Sequence, residues 1–133
     1  MKKELAVLMS DENSEIAWDV DAINEYTIKK CQPMEIPVPG LQPKKWVQID
    51  KDYTLTTNPE QPIVVIEVCD GLVLTIDGNH RLYKAVTKNI KHIFAYYLPL
   101  EIQKQFISDF NTKTYNKVIQ ALIDENIFVK NLF

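Results

Sequence analysis

Apolar and polar positions fall in blocks along this chain, and the period of the pattern changes from block to block. Glu4 to Met9 (ELAVLM) reads as a short apolar strand, and Ser10-Asp11-Glu12-Asn13-Ser14 after it reads as a polar loop of turn formers. From Asp21 onward, Ile23, Tyr26, Ile28 and Cys31 make an imperfect helical stripe that Pro33 must end, so a helix is predicted over residues 20–31. Met34 to Val38 follows as a strand, and Pro37, Pro39, Gly40 and Pro43 punctuate a segment unsuited to the centre of a sheet. Trp46 to Leu55 alternates only imperfectly around Asp50-Lys51-Asp52, and Thr56 to Glu60 reads as an exposed loop.

The pattern sharpens over the next forty residues or so. Pro62 to Val68 is rich in β-branched residues, Leu72 to Ile76 repeats the pattern, and Asp70-Gly71 between them is a short-range hairpin signal that asks for positive φ at both central positions. A β-hairpin is therefore predicted over residues 63–76. Asp77-Gly78-Asn79 breaks the strand, and Leu82, Ala85 and Val86 then fall at helical spacing as far as the stop at Lys88-Asn89. Ile90 to Leu98 returns as a strand, and a crossover through the helix is long enough to lay it parallel to residues 72–76. Beyond Pro99, Ile102, Phe106, Ile107 and Phe110 predict one amphipathic helix, and Val118, Ile119, Leu122 and Ile123 a second. Both are expected to pack on the sheet, although the same faces would serve a homodimer.

These elements make one α+β domain over residues 1–133, a small mixed sheet with a strand, helix, strand core and C-terminal helices. At 133 residues, with 46% hydrophobic and 25% charged side chains, the chain is sized for a single core that needs no disulfide or structural metal. A net charge of −3 removes the basic footprint of a non-specific nucleic-acid binder, so DNA is an unexpected partner. Cys31 and Cys69 stand far apart and outside any Cys/His cluster, which predicts free thiols in a reducing cytoplasm and no metal site. The apolar run Leu5 to Met9 is too short for a signal peptide, and no stretch approaches the roughly 18 apolar residues of a membrane span.

One constellation carries chemistry. Thr75-Ile76-Asp77-Gly78-Asn79-His80-Arg81-Leu82-Tyr83-Lys84-Ala85 places polar and cationic residues where a strand hands over to a helix. Arg81 is the only arginine, which suggests a position where bidentate contact to an oxyanion is not delegated to lysine. First-turn amides of a helix lack internal acceptors and sit at the positive end of the helix dipole, so a phosphate above Gly78 to Arg81 would meet aligned N–H donors. Gly78 would admit the phosphate to the backbone, His80 and Arg81 would add donors, and Lys84 lies one turn along the same general face. The same residues also fit a plainer account, with Asp77 as an N-cap, Gly78 as a turn residue and His80, Arg81 and Lys84 on a solvated helix face.

TIDGNHRLYKA, preceded by PIVVIEVCDG and followed by NIKHIFAYYL, resembles the ParB/sulfiredoxin-like family, whose core is a strand, a G-x-(H/R)-R-x-x-A helix start and a closing strand. The likeness covers residues 62–98 and extends to Ile36-Pro37-Val38 as the strand that would open the core. In that family the Gly-x-x-Arg helix start binds nucleotide phosphates, which implies that role for Gly78, Asn79, His80 and Arg81, with a nucleoside triphosphate and Mg²⁺ as the implied ligand. Asp77 is then expected to cap the helix and to hold a Mg²⁺-bound water near the phosphates. Departures narrow the implication. Asn79 stands where sulfiredoxins carry their catalytic cysteine, so sulfinic-acid repair is not expected. Partition proteins carry an Arg-Arg pair and a following helix-turn-helix domain, whereas this chain has His80-Arg81 and stops at Phe133, so a complete partition protein is not expected either.

A third branch resembles free-serine kinases, whose Asp-Gly-His-Thr-Arg turn is similar in register to Asp77-Gly78-Asn79-His80-Arg81. Such a kinase needs a carboxylate base, for which Glu35, Glu60 and Glu67 are open candidates, although Glu67 also reads as an outward-facing strand residue. His92 has no second ligand at metal spacing and reads as structural or exposed, while Trp18, Trp46, Tyr96 and Tyr97 read as core or rim aromatics. The leading expectation is a nucleotide or other phosphate ligand at the Asp77 to Arg81 turn, with phosphotransfer or NTP hydrolysis as conceivable reactions. The alternatives are a non-catalytic interaction module of a phage, plasmid or mobile element, or a nuclease-like domain, which the charge and the lack of a metal cluster oppose.

Overall fold

The computed structural model describes residues 4–41 and 61–133. The expectations for Trp46 to Leu55, for the loop Thr56 to Glu60, and for Trp46 and Glu60 individually concern residues outside the described ones.

The chain opens with a hairpin. Strand β1 (Leu5–Asp11) runs two residues beyond the predicted strand and pairs antiparallel with β2 (Ser14–Asp19). The polar loop expected over Ser10 to Ser14 is thus the tight end of a hairpin. Asp11 Oδ1 accepts the Asn13 amide at 2.8 Å, an Asx turn that reverses the chain within two residues. On β2, Ser14, Ile16 and Trp18 alternate inward. Helix α1 (Val20–Lys30) follows, with the Asp19 side chain capping it by accepting from the Ala22 amide and Lys29 and Lys30 in its last turn. β3 (Met34–Pro37) and a 3₁₀ turn (Val38–Leu41) come next.

The hairpin expected over 63–76 is present as β4 (Ile63–Cys69) and β5 (Leu72–Asp77), paired antiparallel. Its turn differs from the expectation. Of Asp70 and Gly71 only Gly71 takes positive φ (79°), and the register slips by one residue between Glu67 and Cys69. One left-handed residue and a bulge, not two left-handed residues, close the hairpin. Helix α2 (Asn79–Thr87) then stops at Asn89, whose φ is 56°. The Ile90 amide reaches Ala85 O at 2.9 Å and the Asn89 amide Val86 O at 3.2 Å, a Schellman ending.

β6 (His92–Leu98) is not parallel to β5, as the crossover argument had it. It pairs parallel with β4, from Ile63↔Ala95 to Ile66↔Leu98, and antiparallel with β3, giving the order β3-β6-β4-β5. The hairpin explains the correction. β5 runs back along β4, so α2 leaves and β6 returns at the same end of the sheet, and β6 takes the free edge of β4. The helix therefore spans one end of the sheet, with Gly78 at its start packed beside Ile63.

The single helix predicted from Ile102 to Phe110 is also corrected. α3 (Leu100–Gln103) passes into a 3₁₀ turn (Lys104–Phe106), after which Ile107 is extended (φ −86°, ψ 128°) and bridges Trp18 of β2. The Ser108 amide donates to Ala17 O at 2.9 Å, so pairing to the open edge of the N-terminal hairpin replaces the last helical turns. The second predicted helix is α4 (Thr112–Ile123), capped by Asn111 and burying Tyr115, Val118, Ile119 and Leu122. A strand absent from the pattern, β7 (Phe128–Asn131), pairs antiparallel with β1 and gives the second sheet the order β2-β1-β7.

The core lies between the two sheets. Ala6, Leu8, Ile16 and Trp18 of one sheet meet Val64, Ile66, Val68, Leu74, Ile76 and Leu98 of the other, with α4 closing the side. A second cluster, Val38, Ile63, Val65, Ile93 and Ala95 with Leu82 and Ala85 of α2, covers the opposite face of the four-stranded sheet. Between the sheets runs a buried polar relay. Trp18 Nε1 donates to Gln103 Oε1 at 2.7 Å, Gln103 Nε2 reaches Glu67 O and the Tyr115 hydroxyl at 2.9 Å, and that hydroxyl bonds Val68 O. No helix among the described residues is long and apolar enough to cross a membrane.

Candidate functional site

At the end of β5 the chain turns outward at Gly78, which takes φ 100° and serves as the N-cap of α2 without any side-chain cap. Asp77 is thus the last residue of the strand, not the cap. Its carboxylate is used elsewhere: Oδ2 accepts from Asn24 Nδ2 of α1 at 3.0 Å, and Oδ1 lies 3.8 Å from Arg81 Nη2. Both side chains of this i,i+4 pair are mostly buried, 18% exposed for Arg81 and 25% for Asp77. The guanidinium is held near a carboxylate but outside hydrogen-bonding distance of it.

Asp77 and Arg81 line a cleft of about 340 Å³ with Asn24, Thr27, Ile28, Gln61, Pro62, Val64 and Tyr96. The sheet register assembles it, because Val64 pairs with Asp77 on one side and with Tyr96 on the other. Helix α1 supplies the opposing wall. The volume falls at the lower end of the roughly 300–1,000 Å³ range of small-molecule sites, and polar and apolar side chains share the described lining about equally.

The other expected site residues are placed differently. Asn79 is 3% exposed and committed: its backbone amide donates to Phe133 O at 2.9 Å, while its Nδ2 reaches Thr75 O at 3.0 Å and Phe133 O at 3.3 Å. Phe133 N in turn donates to Ile76 O at 3.3 Å, so the C-terminal residues clamp the start of α2. The first amide of the expected phosphate cradle is filled by the protein's own backbone. Gly78 is required by packing as well as by φ, since a Cβ there would lie 2.5 Å from Ile63 Cγ2. His80 and Lys84 are half-buried on α2 and are not among the cleft residues.

Of the three carboxylates considered as a base, none among the described residues reaches the cleft. Glu67 pairs with Val73, three residues along β4 from Val64, and its Oε1 accepts the Leu100 amide at 3.1 Å, which anchors the start of α3. It is half-buried rather than turned to solvent. Glu35 is exposed on the far edge strand β3, opposite Phe94, with β6 and β4 between it and β5. Asp77 is the carboxylate that the cleft contains.

The donor set does not fit a Mg²⁺ ion held at Asp77. One carboxylate oxygen already takes an amide N–H and the other faces a guanidinium, where a metal would need oxygen ligands in near-octahedral array. Among the described residues no group of three His, Cys, Asp or Glu side chains gathers around a common point. Cys31 and Cys69 are free, and burial pushes both thiols up, joined at Cys69 by the charges of Asp70 and Glu67, which disfavours the thiolate form. Burial and the neighbouring Glu67 likewise push the Tyr97 phenol up. His92 is exposed at the start of β6, and Trp18 is wholly buried.

The sequence pointed to Asp77 and Arg81, and it missed Asn24, Thr27 and Tyr96. Asn24 and Thr27 carried one faint signal, polar residues at i,i+3 on the predicted helix, with nothing to say what they faced. No family model matches the chain, and no curated protein or solved structure matches it.

Proposed function

We propose that this protein binds a phosphorylated small molecule, a nucleotide, in the cleft between α1 and the β5–α2 turn, with Arg81 as the phosphate ligand. The observation that carries the reading is the position of the chain's one arginine. Its guanidinium lines a ligand-sized cleft, and among the described residues its nearest acid, Asp77, stands 3.8 Å away, beyond hydrogen-bonding distance, which suits its planar fork to an oxyanion. Tyr96, Ile28 and Pro62 offer an apolar wall for the rest of the ligand. The reading is one of binding, because the cleft carboxylate among the described residues, Asp77, accepts from Asn24 on one oxygen and faces Arg81 with the other.

Thermal unfolding with a panel of nucleotides and inorganic phosphate tests it. A ligand at 100 times its dissociation constant stabilises by about 2.7 kcal/mol, roughly 8 °C for a chain of this size. If no phosphorylated compound moves the midpoint, the reading fails. The interaction-module reading, which the exposed Ile28 (72%) and Met34 (52%) favour, would then replace it.

A further inference from the structure

We propose that the cleft is built for a single phosphoryl group carried on a ring-sized apolar body, a monophosphate ester, and discriminates against di- and triphosphates. This inference rests on the nucleotide reading above and narrows it. Three observations lead to it.

The first is charge. Among the described residues, the charged groups lining the cleft are Asp77 and Arg81, whose sum is zero. Polyphosphate sites gather several cations or a metal around the chain of phosphates, whereas among the described residues the cleft holds one cationic group, the guanidinium, and the carboxylate beside it repels added negative charge. Arg81 holds one phosphoryl group through two parallel N–H bonds. A second and third phosphate would meet Asp77.

The second is the state of the helix start. A β- or γ-phosphate could in principle move on to the first-turn amides of α2, as the strand, glycine and helix pattern suggests. The first of those amides, at Asn79, is spent on Phe133 O at 2.9 Å, and the Asn79 side chain is turned inward to Thr75 O at 3.0 Å. The first donor a further phosphate would seek is therefore already taken by the protein's own main chain.

The third is shape. About 340 Å³ lined by Ile28, Pro62, Val64 and Tyr96 together with Arg81 suits one ring system plus one head group. The body is thus expected to contribute to affinity, which separates an ester from free phosphate.

Calorimetric titration with AMP, CMP, ATP, CTP and inorganic phosphate, each with and without Mg²⁺, decides the matter on the full chain. The expected result is that each monophosphate binds at least tenfold tighter than its triphosphate and tenfold tighter than inorganic phosphate. Asp77→Asn, which keeps the size of the side chain and removes the repelling charge, should bring the monophosphate-to-triphosphate ratio toward one. Triphosphates that bind as tightly as monophosphates, with or without Mg²⁺, overturn this inference and leave the nucleotide reading standing. Inorganic phosphate that matches the esters overturns the apolar-body part. No heat from any of the five overturns both readings. Should Asp77→Asn prove unfolded by circular dichroism, the ratio in the parent protein alone decides.

Discussion

Replacing Gly78 with alanine is expected to destabilise the protein by about 2–5 kcal/mol, a large fraction of the ~5–15 kcal/mol that holds an ordinary domain together. Two separate penalties make up that figure. The backbone at Gly78 sits at φ 100°, where a residue with a Cβ is strained by roughly 1–2 kcal/mol. The new methyl would also lie 2.5 Å from Ile63 Cγ2, 2.8 Å from Ile63 Cβ and 3.0 Å from Arg81 Nη2. Ile63 is fully buried in β4 and has no room to swing away, so the overlap is an overpacking of about 1–3 kcal/mol.

Urea unfolding monitored by circular dichroism reads the loss directly. With a slope near 1.5 kcal/mol/M, the midpoint should fall by roughly 1.5–3 M. A double-mutant cycle separates the two penalties. Ile63→Ala alone should cost about 2–5 kcal/mol, yet it removes the Cγ2 that the alanine at 78 would strike, so the pair should be less damaging than the sum by about 1 kcal/mol. A loss under 1 kcal/mol for Gly78→Ala, or strict additivity in the cycle, would refute the packing argument. The experiment also guards the ligand work, because a methyl against Arg81 Nη2 disturbs the guanidinium even when no phosphate touches the glycine.

Arg81→Ala and Arg81→Lys should both weaken binding of a phosphate ester by about tenfold or more while leaving urea unfolding nearly unchanged, since the lost charge-assisted bonds are to ligand and the Asp77 contact is long. Full binding by the lysine variant would show that the fork geometry is irrelevant. Gln103→Leu should cost about 2–4 kcal/mol in the same assay, because it strands the buried Trp18 indole N–H and a Glu67 carbonyl; a loss below 1 kcal/mol would mean the relay is dispensable. Tyr115 is pushed up from 10 to about 12, chiefly by burial. Between those values the unfolded chain gives up the phenolic proton and the native one keeps it, so stability present below pH 10 declines as pH rises toward 12, and Tyr115→Phe should flatten that decline.

Local pattern was enough wherever an element is decided by its own residues. Asp19 before an amphipathic run and Pro33 after it bracket α1, and the β-branched runs around Asp70-Gly71 make β4 and β5. The pattern failed where a distant strand competes with the local preference. Ile102, Phe106, Ile107 and Phe110 have helical spacing, but Ile107 has an unpaired edge to join at Trp18, and a β pairing ends the helix there. Residues 14–19 and 128–131 are too short and too mixed to declare themselves, and they become strands because β1 offers each of them a side to pair with. The parallel placement of β6 was misjudged for a related reason: the crossover rule concerns consecutive parallel strands, and the hairpin had already turned β5 the other way.

The site shows the same division at closer range. Asp77 and Arg81 stand four residues apart across a turn, so their meeting is written in the local sequence. Asn24 and Tyr96 arrive by tertiary packing, one from a helix on the N-terminal hairpin and the other through the β4–β6 register, and no local spacing encodes either. Asn79 shows how a local motif misleads. Strand, glycine and helix predict an open crown of amides, and they do so correctly for the isolated segment. The crown is closed by a residue 54 positions away, whose carbonyl takes both the Asn79 amide and its side-chain N–H. A helix start whose first donor is already satisfied offers an anion less than its sequence promises, and in the proposed phosphate site recognition falls to Arg81, which lines the cleft.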